Sequence, residues 1–159
     1  MAQIERKYLA HYLNATPAST ATWCRLGKDL EEFSVELSPE IETKKNILGE
    51  SSTNLSAYEA SASVDPYYAD KDDPLYVFLQ DIIDGRKTLD ACKTEYLEVQ
   101  TWKEAIEGKY VAYKESVIVE ISSYGGDTTA YAIPFTLHMQ GDRVKGTFDP
   151  DTKTFTAGA

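Results

Sequence analysis

A chain of 159 residues with 42% apolar and 26% charged residues has the balance of a globular protein with one core, and it is too short for two cores and a linker. Its 26 Asp and Glu against 16 Lys and Arg give a formal charge of -10, so the surface repels polyanions and conventional DNA or RNA binding is disfavoured. No stretch approaches the roughly 20 apolar residues of a membrane span, and the opening MAQIERKYLAHYLNA holds no uninterrupted apolar run of a secretory signal.

Read in chain order, Ile4, Tyr8, Leu9, Tyr12 and Leu13 share one face at helical spacing, which predicts a short amphipathic helix over 4–13. Residues 14–22 are rich in Ala, Ser, Thr and Pro and form a connector, so 1–22 reads as an N-terminal arm ahead of one β-rich domain over 23–159. Residues 23–27 read as a short strand, and Phe33, Val35 and Leu37 alternate with polar neighbours as a second. Pairing could resume over 41–45, but NILGESSTNLS at 46–56 is polar with no sustained period, which predicts a long loop at about 43–57. Loops of that size are usually functional or ordered by a partner.

DPLYVFLQDIIDG at 73–85 is the clearest element. Asp73 caps, Pro74 takes the first helical position, Gly85 can close the end, and Leu75, Phe78, Leu79, Ile82 and Ile83 share one face of a helix over about 74–84. The remainder reads as strands at 95–102, 110–113, 116–122, 128–140, 144–148 and 152–156. Turns are expected at Gly125, Gly126, Asp127, at Gln140, Gly141, Asp142 and at Asp149, Pro150, Asp151. Tyr131, Ile133, Phe135, Leu137 and Met139 alternate strictly, and Pro134 among them argues for an edge or a bulge. The expected fold is mainly β with one flanking α-helix, a small sandwich or barrel with the helix packed on one side.

Groups for chemistry are few. His11 and His138 read as ordinary exposed or interface histidines, and Cys24 and Cys92 as reduced, packed thiols of a cytoplasmic fold; no motif joins them. Asp65, Asp70, Asp72 and Asp73 lack the alternation, Gly and distal Glu of a Ca²⁺ loop, and no phosphate cradle or dinucleotide fingerprint occurs. An enzyme, a metal site and a cofactor are therefore not expected. A second acidic group, Asp29, Glu31, Glu32, Glu36, Glu40 and Glu42, is either a solvated face or a surface along which DNA slides without sticking. Eleven Tyr against 5 Phe and 2 Trp suit broad protein interfaces.

Taken together, KYLAHYLNA, WCRLGKDLEEFSVEL, KKNILGESS, SAYEASASVDPYYADKDDPLYVFLQDIIDGRKT and AYAIPFTLHMQGDRVKGTFDPDTKTFTA span nearly the whole chain. In their order they resemble the major tail tube proteins of long-tailed, non-contractile bacterial viruses of Gram-positive hosts. The resemblance implies a β-sandwich or barrel subunit of the phage tail tube type, six of which form a ring, with rings stacked into a channel for genome delivery. The partners it implies are further copies of the chain, the tape measure and tail terminator proteins, and DNA in passage, with no membrane. The location it implies is the virion tail, and the host cytoplasm during assembly. Under it, Ile4, Tyr8, Leu9, Tyr12, Lys44, Lys45, Ile47 and Leu48 are expected between subunits, and Glu31, Glu36, Glu40 and Glu42 face the lumen. Alternatives are a soluble β-barrel ligand-binding module or small split-barrel enzyme, and a tube subunit of a contractile or secretion system.

Overall fold

A computed structural model describes residues 2–28 and 30–158; Asp29, one of the acids singled out above, lies outside the described residues. The elements are β1 (Leu9–Asn14), β2 (Trp23–Leu26), β3 (Val35–Glu36), β4 (Pro39–Lys45), β5 (Ser51–Tyr58), β6 (Ser61–Val64), α1 (Pro74–Gly85), β7 (Lys93–Ile106), β8 (Lys109–Glu120), β9 (Phe135–Asp149) and β10 (Thr154–Ala157). The protein is mainly β with one α-helix, as the sequence predicts. All strand pairs are antiparallel. One sheet runs β2-β1-β7-β8-β9-β6-β3 with β10 on the second half of β9, and β4 and β5 form a separate pair.

The large sheet is strongly curled. β1 and β9 are three strand spacings apart in the order, about 14 Å if the sheet were flat, yet the rings of Tyr12 and Phe148 lie 4.7 Å apart between centroids. Alternation along the long strands sends side chains into two clusters on opposite faces. Leu13, Tyr96, Val117, Val119 and Leu137 join Leu75, Leu79, Ile82 and Ile83 of α1 on one face. Ala10, Tyr12, Trp23, Leu97, Val99, Ala112 and Phe148 form the other. Gly146 is required where β10 crosses: a Cβ there would stand 2.2 Å from the Thr156 carbonyl oxygen and 2.7 Å from the Phe155 ring.

The helix lies where its sequence signals put it. Asp73 caps it by accepting from the Leu75 N–H at 3.0 Å, and its other carboxylate oxygen accepts from the Tyr67 hydroxyl at 2.7 Å. The left-handed residue that ends the helix is Arg86 (φ 48°) rather than Gly85, which is still helical.

Five expectations are corrected. The helix over 4–13 is only a 3-10 turn at Arg6–Tyr8, followed by β1. β1 lies between β2 and β7 and is covered on both faces, so Ala10 through Asn14 are all buried and the run carries no single-face stripe. The loop expected at about 43–57 is a hairpin, β4 and β5, closed at 46–50. The turn expected at Gln140, Gly141, Asp142 is a bulge within β9: Lys114 pairs Val144 while Ser116 pairs Gln140, so two extra β9 residues are absorbed around Gly141 at φ 75°. The strands expected at 110–113 and 116–122 are correspondingly one strand, β8, and Pro134 stands just before β9 rather than within it.

Candidate functional site

The β4–β5 hairpin has every residue of both strands exposed. Its turn is built by Asn46, whose side-chain oxygen accepts from the Leu48 N–H at 2.9 Å and the Glu50 N–H at 3.0 Å, with Gly49 at φ 80°. Seven residues of β4 at about 3.3 Å each carry that turn about 20 Å from its root. Ile41 stands opposite Leu55, Thr43 opposite Thr53 and Lys45 opposite Ser51 on one face; Glu42 and Lys44 occupy the other and pair at 3.4 Å. Leu37, Ile41, Ile47, Leu48, Leu55 and Tyr58 are exposed large apolar side chains, and Ile47 is fully so. A lone two-stranded hairpin is marginally stable in water, so this arm lacks a third surface.

A second surface is the sheet face opposite α1. Ala62, Val64, Phe135, Leu137 and Val119 point to the core, so Ser61, Ser63, Thr136, His138 and Glu120 point away from it. Ser63 and Thr136 hydroxyls meet at 3.3 Å, and His138 Nε2 lies 3.3 Å from Glu120. Glu36 pairs with Ser61 in the register and extends this polar face.

The start of the chain is locked to the large sheet. Arg6 donates from Nη2 to His11 Nε2 at 2.9 Å and to the Phe33 carbonyl at 2.9 Å. A guanidinium only donates, so His11 accepts at Nε2, carries its proton on Nδ1 and donates there to the Tyr96 hydroxyl. His11 is buried, not exposed as its sequence position suggests, and burial first, then the Arg6 and Arg25 charges, push its pKa down from 6.5 to about 4. Nearby, Arg143 bridges Glu98 at 2.7 Å and Glu115 at 3.0 Å and lies over the Tyr113 ring. Burial, only partly offset by Arg143, raises the Glu115 pKa. Both histidines thus have partners in the fold. Among the described residues no three His, Cys, Asp or Glu side chains gather as a metal cage.

The expected site residues divide as follows. Lys44, Lys45, Ile47, Leu48, Glu40 and Glu42 are brought together on the hairpin arm. Ile4 and Tyr8 are exposed at the start of the chain, and Leu9 is half-buried where β1 begins. Tyr12 is a correction: it is buried against Phe148 in the subunit's own core and offers no surface to a neighbour. Glu31 is exposed in the segment between β2 and β3, and Glu36 lies on the polar sheet face. The sequence reading missed Ile41, Leu55 and Tyr58 as arm residues, and Glu120, Thr136 and His138 as one face. Their signal was available for the second group only, as the polar positions alternating with Phe135, Leu137 and Met139. In comparisons with known proteins, no family model matches the chain and no curated protein matches it.

Proposed function

We propose that this chain is a structural subunit that assembles with copies of itself, as rings stacked into a tube of the phage tail tube type through which DNA passes. The observation that carries the reading is the hairpin arm: five large apolar side chains, Ile41, Ile47, Leu48, Leu55 and Tyr58, stand exposed on a two-stranded element that pairs with no other strand among the described residues. A monomer gains nothing from holding them in water, and a heterologous contact between copies closes a ring or propagates a stack. The whole-chain resemblance supports the same reading and supplies its type. The polar sheet face bearing Glu36 and Glu120 among small hydroxyls suits a channel wall, because its acids repel phosphates and outnumber Lys93, the cation that shares the face in register with Ile118 and His138. Within this reading the chain does no chemistry, resides in the virion tail, and meets tape measure and terminator proteins at the ends of the tube.

Sedimentation velocity over a wide concentration range tests self-assembly. The expected outcome is mass that grows with concentration well beyond a 17.7 kDa monomer. A monomer at every concentration and salt contradicts the proposal.

A further inference from the structure

Beside His11, the start of the chain and the segment after β2 enclose a cleft of about 540 Å³. Ala10, Leu26 and Phe33 are buried in its wall, and four cations line it, Arg6, Lys7, Arg25 and Lys28. In a chain with 26 Asp and Glu against 16 Lys and Arg, that grouping runs against the composition. Lys7 is paired with Glu5 at 3.1 Å. Among the described residues, Arg6, Arg25 and Lys28 have no carboxylate at ion-pair distance. The exposed Glu31 and Glu32 of the lining pair with none of them, nor do Asp70, Asp72 and Asp73 of the adjoining cleft that Arg25 and Lys28 also border.

What holds the two guanidinium groups is neutral. Arg6 donates to the Leu9 and Phe33 carbonyls and to His11 Nε2, each at 2.9 Å, which engages three of its five N–H groups. Arg25 makes one long contact, from Nη2 to the Lys7 carbonyl at 3.5 Å. Carbonyls and an imidazole orient a guanidinium but do not neutralise it. Both charges bear on the buried His11 ring, where they add to burial in lowering its pKa to about 4.

We infer that this cleft binds one phosphate group, as the free ion or at the end of a small ester, held between Arg6 and Arg25 with Lys28 as a third cation. A dianion there takes the remaining N–H groups of both guanidiniums in charge-assisted bonds and offsets two like charges gathered at one imidazole. The tetrahedral oxygens of phosphate meet two guanidinium forks and an ammonium at once, which the planar pair of a carboxylate does not. The apolar wall lowers the local dielectric and strengthens these contacts over those of cations spread on an open surface. The cleft lies within one chain, so the inference is independent of self-assembly.

The test is equilibrium dialysis of the full chain against radiolabelled inorganic phosphate at pH 7, with ionic strength held constant by sodium chloride; it reads subunits and assemblies alike. The expected result is saturation at one phosphate per chain. Arg25→Gln, at an exposed position where the fold tolerates the change, is expected to weaken binding at least tenfold, while Lys103→Gln, which removes an exposed cation outside the cleft, leaves it unchanged. Adenosine monophosphate separates the two sources: displacement at least tenfold more effective than by unlabelled phosphate identifies a nucleotide, anything weaker identifies the free ion, and both uphold the site. The absence of saturable uptake overturns it. Equal weakening by Arg25→Gln and Lys103→Gln also overturns it, because that is the diffuse effect of removing any surface charge. Displacement by a short DNA duplex without terminal phosphates reassigns the cations to a diester backbone and overturns it as well.

Discussion

His11 sits where three parts of the chain meet, because Arg6 reaches from the first turn to its ring and to the Phe33 carbonyl, while Tyr96 takes its other nitrogen. Protonating Nε2 would aim a second N–H at a guanidinium and place a buried charge beside Arg6 and Arg25. The folded pKa of about 4 lies below the ordinary 6.5, so the unfolded chain binds the proton more readily. Stability associated with neutral His11 is therefore full above about pH 6.5 and is lost as pH falls toward 4. At about 1.4 kcal/mol per pKa unit the whole loss is on the order of 3 kcal/mol. Urea unfolding at pH 7 and pH 4.5 is expected to show most of that loss in the natural chain and a flatter dependence in His11→Gln. Equal slopes in the two proteins contradict the assignment. None of this was legible from the sequence, where His11 is one polar residue in an apolar run; Tyr96, which accepts from its ring, lies 85 residues away, and the Phe33 carbonyl that shares Arg6 with it lies 22 away.

At the scale of elements, the helix was readable because all its signals are local: a cap, a proline at the first position and a stripe at helical spacing. The first part of β9 was readable for a related reason, since burial on one side writes a two-residue alternation over Phe135, Leu137 and Met139. β1 and the hairpin arm were not, and their failures are opposite. β1 is buried on both faces and so shows no alternation, only an apolar run that fits a helix as well. The arm is exposed on both faces and shows no alternation either, only polarity. Its strands are held by one ladder and the Asn46 turn, without a third strand or a packed face. Hydrogen exchange of amides in β4 and β5 is accordingly expected to be fast in the free subunit and slowed at least tenfold on assembly, while the β7–β8 amides are slow in both. Strong, equal protection of the arm in the two states contradicts the proposal that neighbours complete it.

For the whole molecule, a mainly β body with one helix leaves two unlike surfaces for a partner or a channel: an apolar-tipped arm and a hydroxyl-rich sheet face. The charge of -10 sets the rule for both. Contacts between copies need local complementarity, and a wall past which DNA moves needs acids in excess of cations. Replacing Glu36 and Glu120 by Lys is expected to leave the fold intact, since both are exposed, and to slow genome passage through assembled tubes by creating phosphate-binding points. Unchanged passage through tubes built wholly of the double variant contradicts the assignment of this face to the channel. Glu40 and Glu42, expected from the sequence to face the lumen, stand on the arm, where Glu42 is paired with Lys44. Negative-stain electron microscopy of the purified, concentrated chain tests the central claim most directly: the account predicts rings and stacked tubes that disappear when Ile47 and Leu48 are both replaced by Asp, and a field free of particles for the natural chain, or tubes that persist unchanged in the double variant, would contradict it.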